Sequence, residues 1–471
     1  MKIRKTLLLA GLLACFLTLS GCGYQPPVGI SAIRKTATDG LVDTYTVYYT
    51  NGKTDTFTVK NGEDGVNGRD GEDGTNATGV TVEDLYNAYV EEYGEITYAE
   101  FLDLYLSGNS SDVSTTVANC LRSCVKVYAE FQESDGMGGM KDTAYTGGGV
   151  IYELGSNDTY LITNYHVVHY PNLAGGEASE NIHCYLYGSE SAPYRTEETP
   201  NELTYDDYAV PCTYVGGSIV YDIAVLKVNT ADILAINPDV CEVTLAEEYH
   251  VGQTAIAIGN PNSNGISVTK GVVSVENENI SLSLDGTYRD YRCIRIDTPL
   301  YHGNSGGGLF NDKGQLFGIT NAGEQTDQNI NYAIPFQIFS AVYDGVLEHY
   351  TDGVSETNGV CKTTIGVTVH QTNSKYVYDS SKGYGRTVCE VLVNEVVAGG
   401  KAAMTGVRAG DVITAIVIDG VEYAVEQNHH IADALLHVRV GSVISIKYRR
   451  GGAIGESTPY TLALSDLVWI E

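Results

Sequence analysis

The chain has 471 residues, 43% of them hydrophobic, and a formal net charge of −31. That length predicts several packed domains, and the acidic balance excludes a nucleic-acid binder, which needs a basic footprint. It equally excludes attachment to anionic lipid through basic side chains.

Lys2, Arg4 and Lys5 precede an apolar stretch from Thr6 to Leu19. At 1.5 Å per residue that stretch is too short to cross ~30 Å of hydrocarbon, so residues 1–21 read as a signal peptide. It ends in Leu19-Ser20-Gly21-Cys22, which resembles the bacterial lipobox; Cys22 is the expected lipidation site. The expectation is therefore an exported chain held by lipid on the outer face of a bacterial cell membrane. Eight cysteines remain after Cys22, with no C-x-x-C pair and no histidine at zinc-finger spacing, so neither metal nor cofactor is implied. Cys120 and Cys124, four apart, read as neighbours on one helix face.

Residues 22–110 read as a stalk. A hairpin over 41–60 turns on Asn51-Gly52. Glycines at 62, 65, 68, 71 and 74 follow, in a tract without proline; 61–79 is read as a solvated spacer rather than collagen. Two short helices are expected over 81–106, from Thr81/Asp84 and Thr97/Glu100 capping boxes. Residues 111–350 then carry many short apolar runs between turns, the texture of an antiparallel barrel or sandwich. A polar stretch at 169–212 reads as a loop-rich insertion. A linker is expected at 351–360 and a second domain at 361–471.

The chemistry lies at strand ends in 111–350. Ser305 stands in Gly303-Asn304-Ser305-Gly306-Gly307, where glycines let backbone N–H groups converge as an oxyanion hole requires. The same letters fit the G-x-S-x-G of α/β-hydrolases. That fold needs a helix after the serine, whereas residues 308–318 read as a hairpin turning at Asp312–Gly314. It also puts its histidine last, whereas the best histidine here, His166, comes first. A serine hydroxyl needs a base such as imidazole, and the imidazole needs a buried carboxylate to fix its tautomer. Asp222, at the mouth of the apolar run Ile223–Val228, is that candidate. His169 competes with His166, and Asp206 and Asp207 compete with Asp222.

T-N-Y-H-V-V around His166, D-I-A-V-L-K-V from Asp222, A-I-G-N-P at 257–261, V-T-K-G-V-V-S at 268–274, G-N-S-G-G at 303–307 and N-Y-A-I-P at 331–335 together resemble the HtrA/Deg branch of trypsin-like serine proteases. The resemblance implies a mainly β protein with a chymotrypsin-like double β-barrel. His166, Asp222 and Ser305 would be catalytic, and Gly303, Asn304 and Ser305 would form the oxyanion hole. Thr320, Asn321 and Ala322 would pair with substrate backbone. Six residues before the nucleophile, where a trypsin-type pocket carries Asp, stands Pro299, so Pro299 and Leu300 imply small or medium apolar residues at the cut. The His166–Asp222 spacing is longer than usual in the family because of the polar insertion. Residues 361–471 resemble an α/β PDZ domain, through Thr364-Ile365-Gly366-Val367 as the carboxylate loop and Gly406 to Ile413. The implied partners are unfolded polypeptides and peptide C-termini, and the implied assembly is a homotrimer.

Overall fold

The computed structural model describes residues 30–49, 52–60, 86–87, 90, 97–98, 113–169, 177–284, 286–323, 329–350 and 360–470. The signal peptide, Cys22, the glycine-rich spacer, most of the two short helices and nearly all of the 351–360 linker lie outside them.

The N-terminal unit contains one antiparallel sheet, β1 (Ile30–Asp39), β2 (Val42–Tyr49) and β3 (Thr54–Lys60), in that order. The β2–β3 pair is the expected hairpin. β1 is additional: it turns into β2 at Asp39-Gly40, with Gly40 at φ +58°.

The second compact unit begins its described part with helix α1 (Val113–Leu121), which leads into a first barrel. This is built from β4 (Cys124–Ser134), β5 (Met140–Leu154), β6 (Asp158–Thr163), β7 (Asn181–Leu186), β8 (Val210–Ser218) and β9 (Ile223–Asn229). A one-turn helix, α2 (Tyr165–Val168), follows β6, and α3 (Thr230–Ile236) follows β9. The strands close in the order β4-β5-β6-β9-β8-β7 around Val127, Ile151, Leu161, Ile182, Leu186, Leu226 and their neighbours. The stretch 169–212 is therefore not simply a loop-rich insertion. It carries β7, which pairs with β4 and β8 and closes the barrel. The signal was present in Ile182-His-Cys-Tyr-Leu186, where 182, 184 and 186 are buried. Cys120 and Cys124 also depart from expectation: the helix stops at Leu121, and Cys124 opens β4. Both are buried free thiols.

The second barrel uses β10 (Thr244–Leu245), β11 (Thr254–Gly259), β12 (Ser267–Ser283), β13 (Tyr288–Ile296), β14 (Gly308–Phe310), β15 (Gln315–Gly323) and β16 (Asn331–Pro335). Pairing of β15 with both β14 and β16 closes the ring β11-β12-β13-β16-β15-β14, with β10 appended to β15. No helix directly follows Ser305; β14 and β15 form the expected hairpin, which excludes the α/β-hydrolase elbow. Helix α4 (Phe336–His349) buries Phe339, Val342 and Val346 in a core shared between the barrels.

The C-terminal module has a sheet of β18 (Val367–Asp379), β19 (Tyr384–Val396), β20 (Val412–Ile418), β22 (Val443–Arg450) and β23 (Ala453–Glu456), in that order. β21 (Val421–Ala424) pairs with β20, β24 (Tyr460–Thr461) with β22, and β17 (Cys361–Lys362) with β25 (Val468–Trp469). Helices α5 (Lys401–Thr405) and α6 (His429–Ala434) flank it; a 3-10 turn, Leu435–His437, extends α6. Leu436 and Ile470 of this module are buried in the core that holds α4. The protein is thus mainly β, with the double barrel expected of it.

Candidate active site

The site sits where β6, the β8–β9 turn and the 303–307 loop meet. His166 lies in α2, directly after β6, and Asp222 in the turn before β9. Asp222 is fully buried and adopts φ +51°, a left-handed conformation that Asp tolerates better than most residues. Its Oδ2 lies 2.8 Å from Nδ1 of His166, and its Oδ1 accepts the backbone N–H of His166 at 2.9 Å. The first N–H groups of a helix lack partners within it, so the carboxylate satisfies one of them while it holds the ring. Asn164, also fully buried, donates its Nδ2 to the Asp222 carbonyl at 2.8 Å and ties strand end to turn. Sequence reasoning did not single out Asn164; its place in Thr163-Asn164-Tyr165-His166 was the available signal.

Burial opposes a charge on His166, but the Asp222 carboxylate's charge and hydrogen bond outweigh it and raise the imidazole pKa above its ordinary value. The competitors lie elsewhere. His169 stacks on Tyr165 with ring centroids 3.4 Å apart, and burial lowers its pKa to about 4. Asp206 accepts the N–H of Tyr208 in a local turn. No ion pair or hydrogen bond joins Asp207 to His166 among the described residues.

Ser305 is carried to the same place by the backbone. Its carbonyl accepts the N–H of Gly148 at 2.8 Å, and Gly306, next to it, packs on Thr163 and Asn164. The Ser305 hydroxyl donates to the carbonyl of Asn321 at 3.0 Å. Gly303 has φ +96°, and a Cβ there would lie 2.2 Å from the Asn260 carbonyl, so only glycine fits. The His302 carbonyl is bound by the N–H of Asn262 at 2.7 Å. A trans peptide points its N–H opposite its C=O, so the Gly303 N–H faces away from that loop. Among the described residues, neither the Gly303 nor the Ser305 N–H donates to a backbone acceptor. Asn304 is buried, and its N–H closes a turn onto Tyr301.

The three expected substrate-pairing residues divide. Thr320 is not available: its N–H donates to Gly307, its carbonyl accepts from Gly306, and its hydroxyl bonds the Asn304 and Gly307 carbonyls. It locks the 303–307 loop instead. Asn321 sits in a β-bulge between β15 and β16, which turns its carbonyl to Ser305. Ala322 stands opposite Tyr332 in β16. Leu300 is half-buried against the second-barrel core, and the Pro299 carbonyl accepts from Thr269.

Residues 147–319 match the family model of the trypsin-like peptidase domain. The chain is a trypsin-like serine endopeptidase. This peptidase is similar to the serine protease Do-like HtrA of Lactococcus lactis subsp. cremoris (strain MG1363), 27% identical over 318 residues, covering 65% of this chain and 68% of that protein. It is also similar to the serine endoprotease DegS of Salmonella typhimurium, 30% identical over 244 residues, 50% of this chain and 62% of DegS. The chain thus spans less than two thirds of the DegS length. These matches support the HtrA/Deg type. Among solved structures, the HtrA-type protease AlgW with tripeptide aligns over 74% of this chain and 96% of that one, at 24% identity and a TM-score of 0.45.

In the C-terminal module, Gly366 has φ +76°, and a Cβ on it would meet the Gly400 backbone at 3.1 Å. The carbonyls of Ile365 and Gly366 accept from Ala402 and Val397, while Thr364, Ile365 and Gly366 donate to no backbone acceptor among the described residues. The Thr364 carbonyl accepts from Lys401, and the Ile365 side chain is buried. Val367 opens β18, which is an edge strand of its sheet.

Proposed function

We propose that this peptidase is an exported enzyme, anchored by lipid at Cys22, that cleaves unfolded or misfolded polypeptides with His166, Asp222 and Ser305 and captures peptide C-termini on a PDZ module. The observation that carries the catalytic assignment is the pair of hydrogen bonds that Asp222 accepts from the ring and the backbone of His166, which leaves Nε2 as the ring's working nitrogen.

In the resting arrangement the Ser305 hydroxyl is engaged by Asn321. An extended substrate whose N–H takes the Asn321 carbonyl displaces that hydroxyl, and rotation about χ1 presents it to His166. The Ser305 proton passes to Nε2 as Oγ bonds the scissile carbonyl carbon. The new oxyanion is received by the N–H groups of Gly303 and Ser305, with Asn304 holding the loop. Nε2 then protonates the leaving amine, and water releases the acyl group by the reverse relay. Pro299 and Leu300 favour small or medium apolar residues at the cut. The free N–H groups at Thr364–Gly366 and the open edge of β18 suit a terminal carboxylate and an added strand. A homotrimer is the assembly proposed from the HtrA/Deg resemblance, testable by the mass of the purified chain in solution.

The test is cleavage of an unfolded protein by the purified chain against Ser305→Ala, with product sequencing. Loss of cleavage in the variant, and apolar residues at the cut sites, are expected. Full activity in Ser305→Ala ends the assignment, and a dominant Lys or Arg at the cut ends the pocket reading.

A further inference from the structure

Behind the site, between the second barrel and the C-terminal module, lies a cavity of about 430 Å³. Its polar wall includes Arg292, Lys362, Asp290, Asp433, Asn277 and His429. Arg292 and Asp433 form an ion pair at 2.7 Å, with side chains only 10% and 13% exposed. That pair uses one nitrogen of the guanidinium. Tyr249 lies within side-chain hydrogen-bonding reach of the guanidinium and supports its charge, while Nε and Nη1 meet no acceptor in well-formed geometry. The Asn277 Oδ1 and the His429 Nδ1 are likewise buried without a partner. Four orphaned polar atoms around one cavity is an unusual concentration, because buried polar groups are nearly always paired.

Their chemistry is two-signed. Arg292 and Lys362 offer N–H donors to an anion, whereas Asn277 and Asp290 offer acceptors to a cation. Ile338 and Leu436 supply apolar wall. The volume falls in the range of small-ligand pockets, ~300–1,000 Å³. We infer that this cavity binds a small zwitterion of the amino-acid or dipeptide class, its carboxylate toward Arg292 and its ammonium toward Asn277 and Asp290.

The cavity also touches the catalytic machinery. Val220 and Tyr221 line it, Tyr291 donates its hydroxyl to the Ile219 carbonyl at 2.9 Å, and the next residue in the turn is Asp222. An occupant that pushes on this turn moves the carboxylate that holds His166, so it acts as an effector of cleavage. This effector role rests on the peptidase reading above; the binding itself does not.

The experiment is calorimetric titration of full-length Ser305→Ala with leucyl-leucine, alongside its N-acetylated and C-amidated forms. One saturable site is expected, weakened at least tenfold by either cap. Arg292→Gln should weaken it as much, and so should Ala432→Leu, which fills the cavity from α6. Because Arg292→Gln also breaks an ion pair, thermal unfolding of each variant is compared; Ala432→Leu keeps that pair. Gly366→Val removes any second binding of this apolar-ended peptide by the carboxylate loop, and the site that survives it is the cavity's. Equal binding of the capped forms, persistence in Ala432→Leu, or no saturation up to about 10 mM, well beyond weak millimolar affinity, would overturn the site and leave the cavity to water. With the Ser305 enzyme, leucyl-leucine should change the rate on an unfolded substrate, and Ala432→Leu should lose that response while keeping its basal rate. Saturable binding to Ser305→Ala without any change in rate would overturn the effector role alone.

Discussion

Asp222 holds His166 at two points, the ring through Oδ2 at 2.8 Å and the backbone N–H through Oδ1 at 2.9 Å. One carboxylate therefore sets both the imidazole tautomer and the start of the helix that carries it. Asp222→Asn should keep the fold, since the amide is isosteric and one contact to the backbone survives. It should lower kcat by about 10⁴, as in triads where the wrong tautomer is imposed. His166→Ala should cost more, about 10⁶, and Asp222→Asn combined with it little further, because triad members act as a unit. Turnover and thermal unfolding of the three variants provide the check; additive losses would contradict a shared mechanism.

The pH profile follows from the same pair. Burial works against the imidazolium, but the charge and hydrogen bond of Asp222 win and raise the His166 pKa. Cleavage needs the neutral ring, so kcat/KM should fall as pH drops through a value above the ordinary histidine value of about 6.5. For stability the sign is opposite. A group with a raised folded pKa stabilises fully below its unfolded pKa, and that contribution fades as pH rises through the folded pKa. The Tm difference between the wild type and Asp222→Asn should therefore be greatest in acid and shrink above neutrality. An acid limb below 6.5 would show that burial dominates instead.

The proposed catalytic trio was legible because each member lies in a distinct local pattern: a strand end before His166, a buried run after Asp222, glycines around Ser305. Other features depend on contacts between distant segments. β7 was hidden because its polar neighbours at 187–209 mask a short run in which Ile182, Cys184, Tyr185 and Leu186 are buried. Thr320 looked like a substrate contact until the 303–307 loop folded back and claimed both its N–H and its carbonyl. The bulge at Asn321 arises from mismatched pairing between β15 and β16, and pairing register is not written in either strand alone. The cavity at Arg292 needs two domains to exist.

Membrane attachment at Cys22 is proposed from its motif. Cys22→Ala should release the peptidase from membranes in a soluble, active form, as judged by fractionation after a salt wash. A single acyl chain binds only reversibly, so stable attachment implies more than one chain on this residue. A variant that stays with the membrane would instead indicate an uncleaved apolar segment.

The proposed capture of peptide C-termini turns on Gly366. Its φ of +76° is one that a β-branched side chain rarely adopts, and a Cβ would press on Gly400 at 3.1 Å. The curl it permits leaves the N–H groups of residues 364–366 without backbone acceptors, while the carbonyls of Ile365 and Gly366 are anchored by Ala402 and Val397. Gly366→Val should force these N–H groups apart and reduce binding of an apolar-ended peptide at least tenfold, equivalent to about 1.4 kcal/mol. The same loss should follow when the wild-type protein meets that peptide with an amidated C-terminus, because a carboxylate buried without donors is costly and an amide gains little from them. The amidated peptide separates capture from collapse of the module, since it tests the loop with no substitution in it. Fluorescence titration of both peptides against both proteins decides the matter. Equal affinity for free and amidated ends would remove the loop from recognition and leave only strand addition along β18.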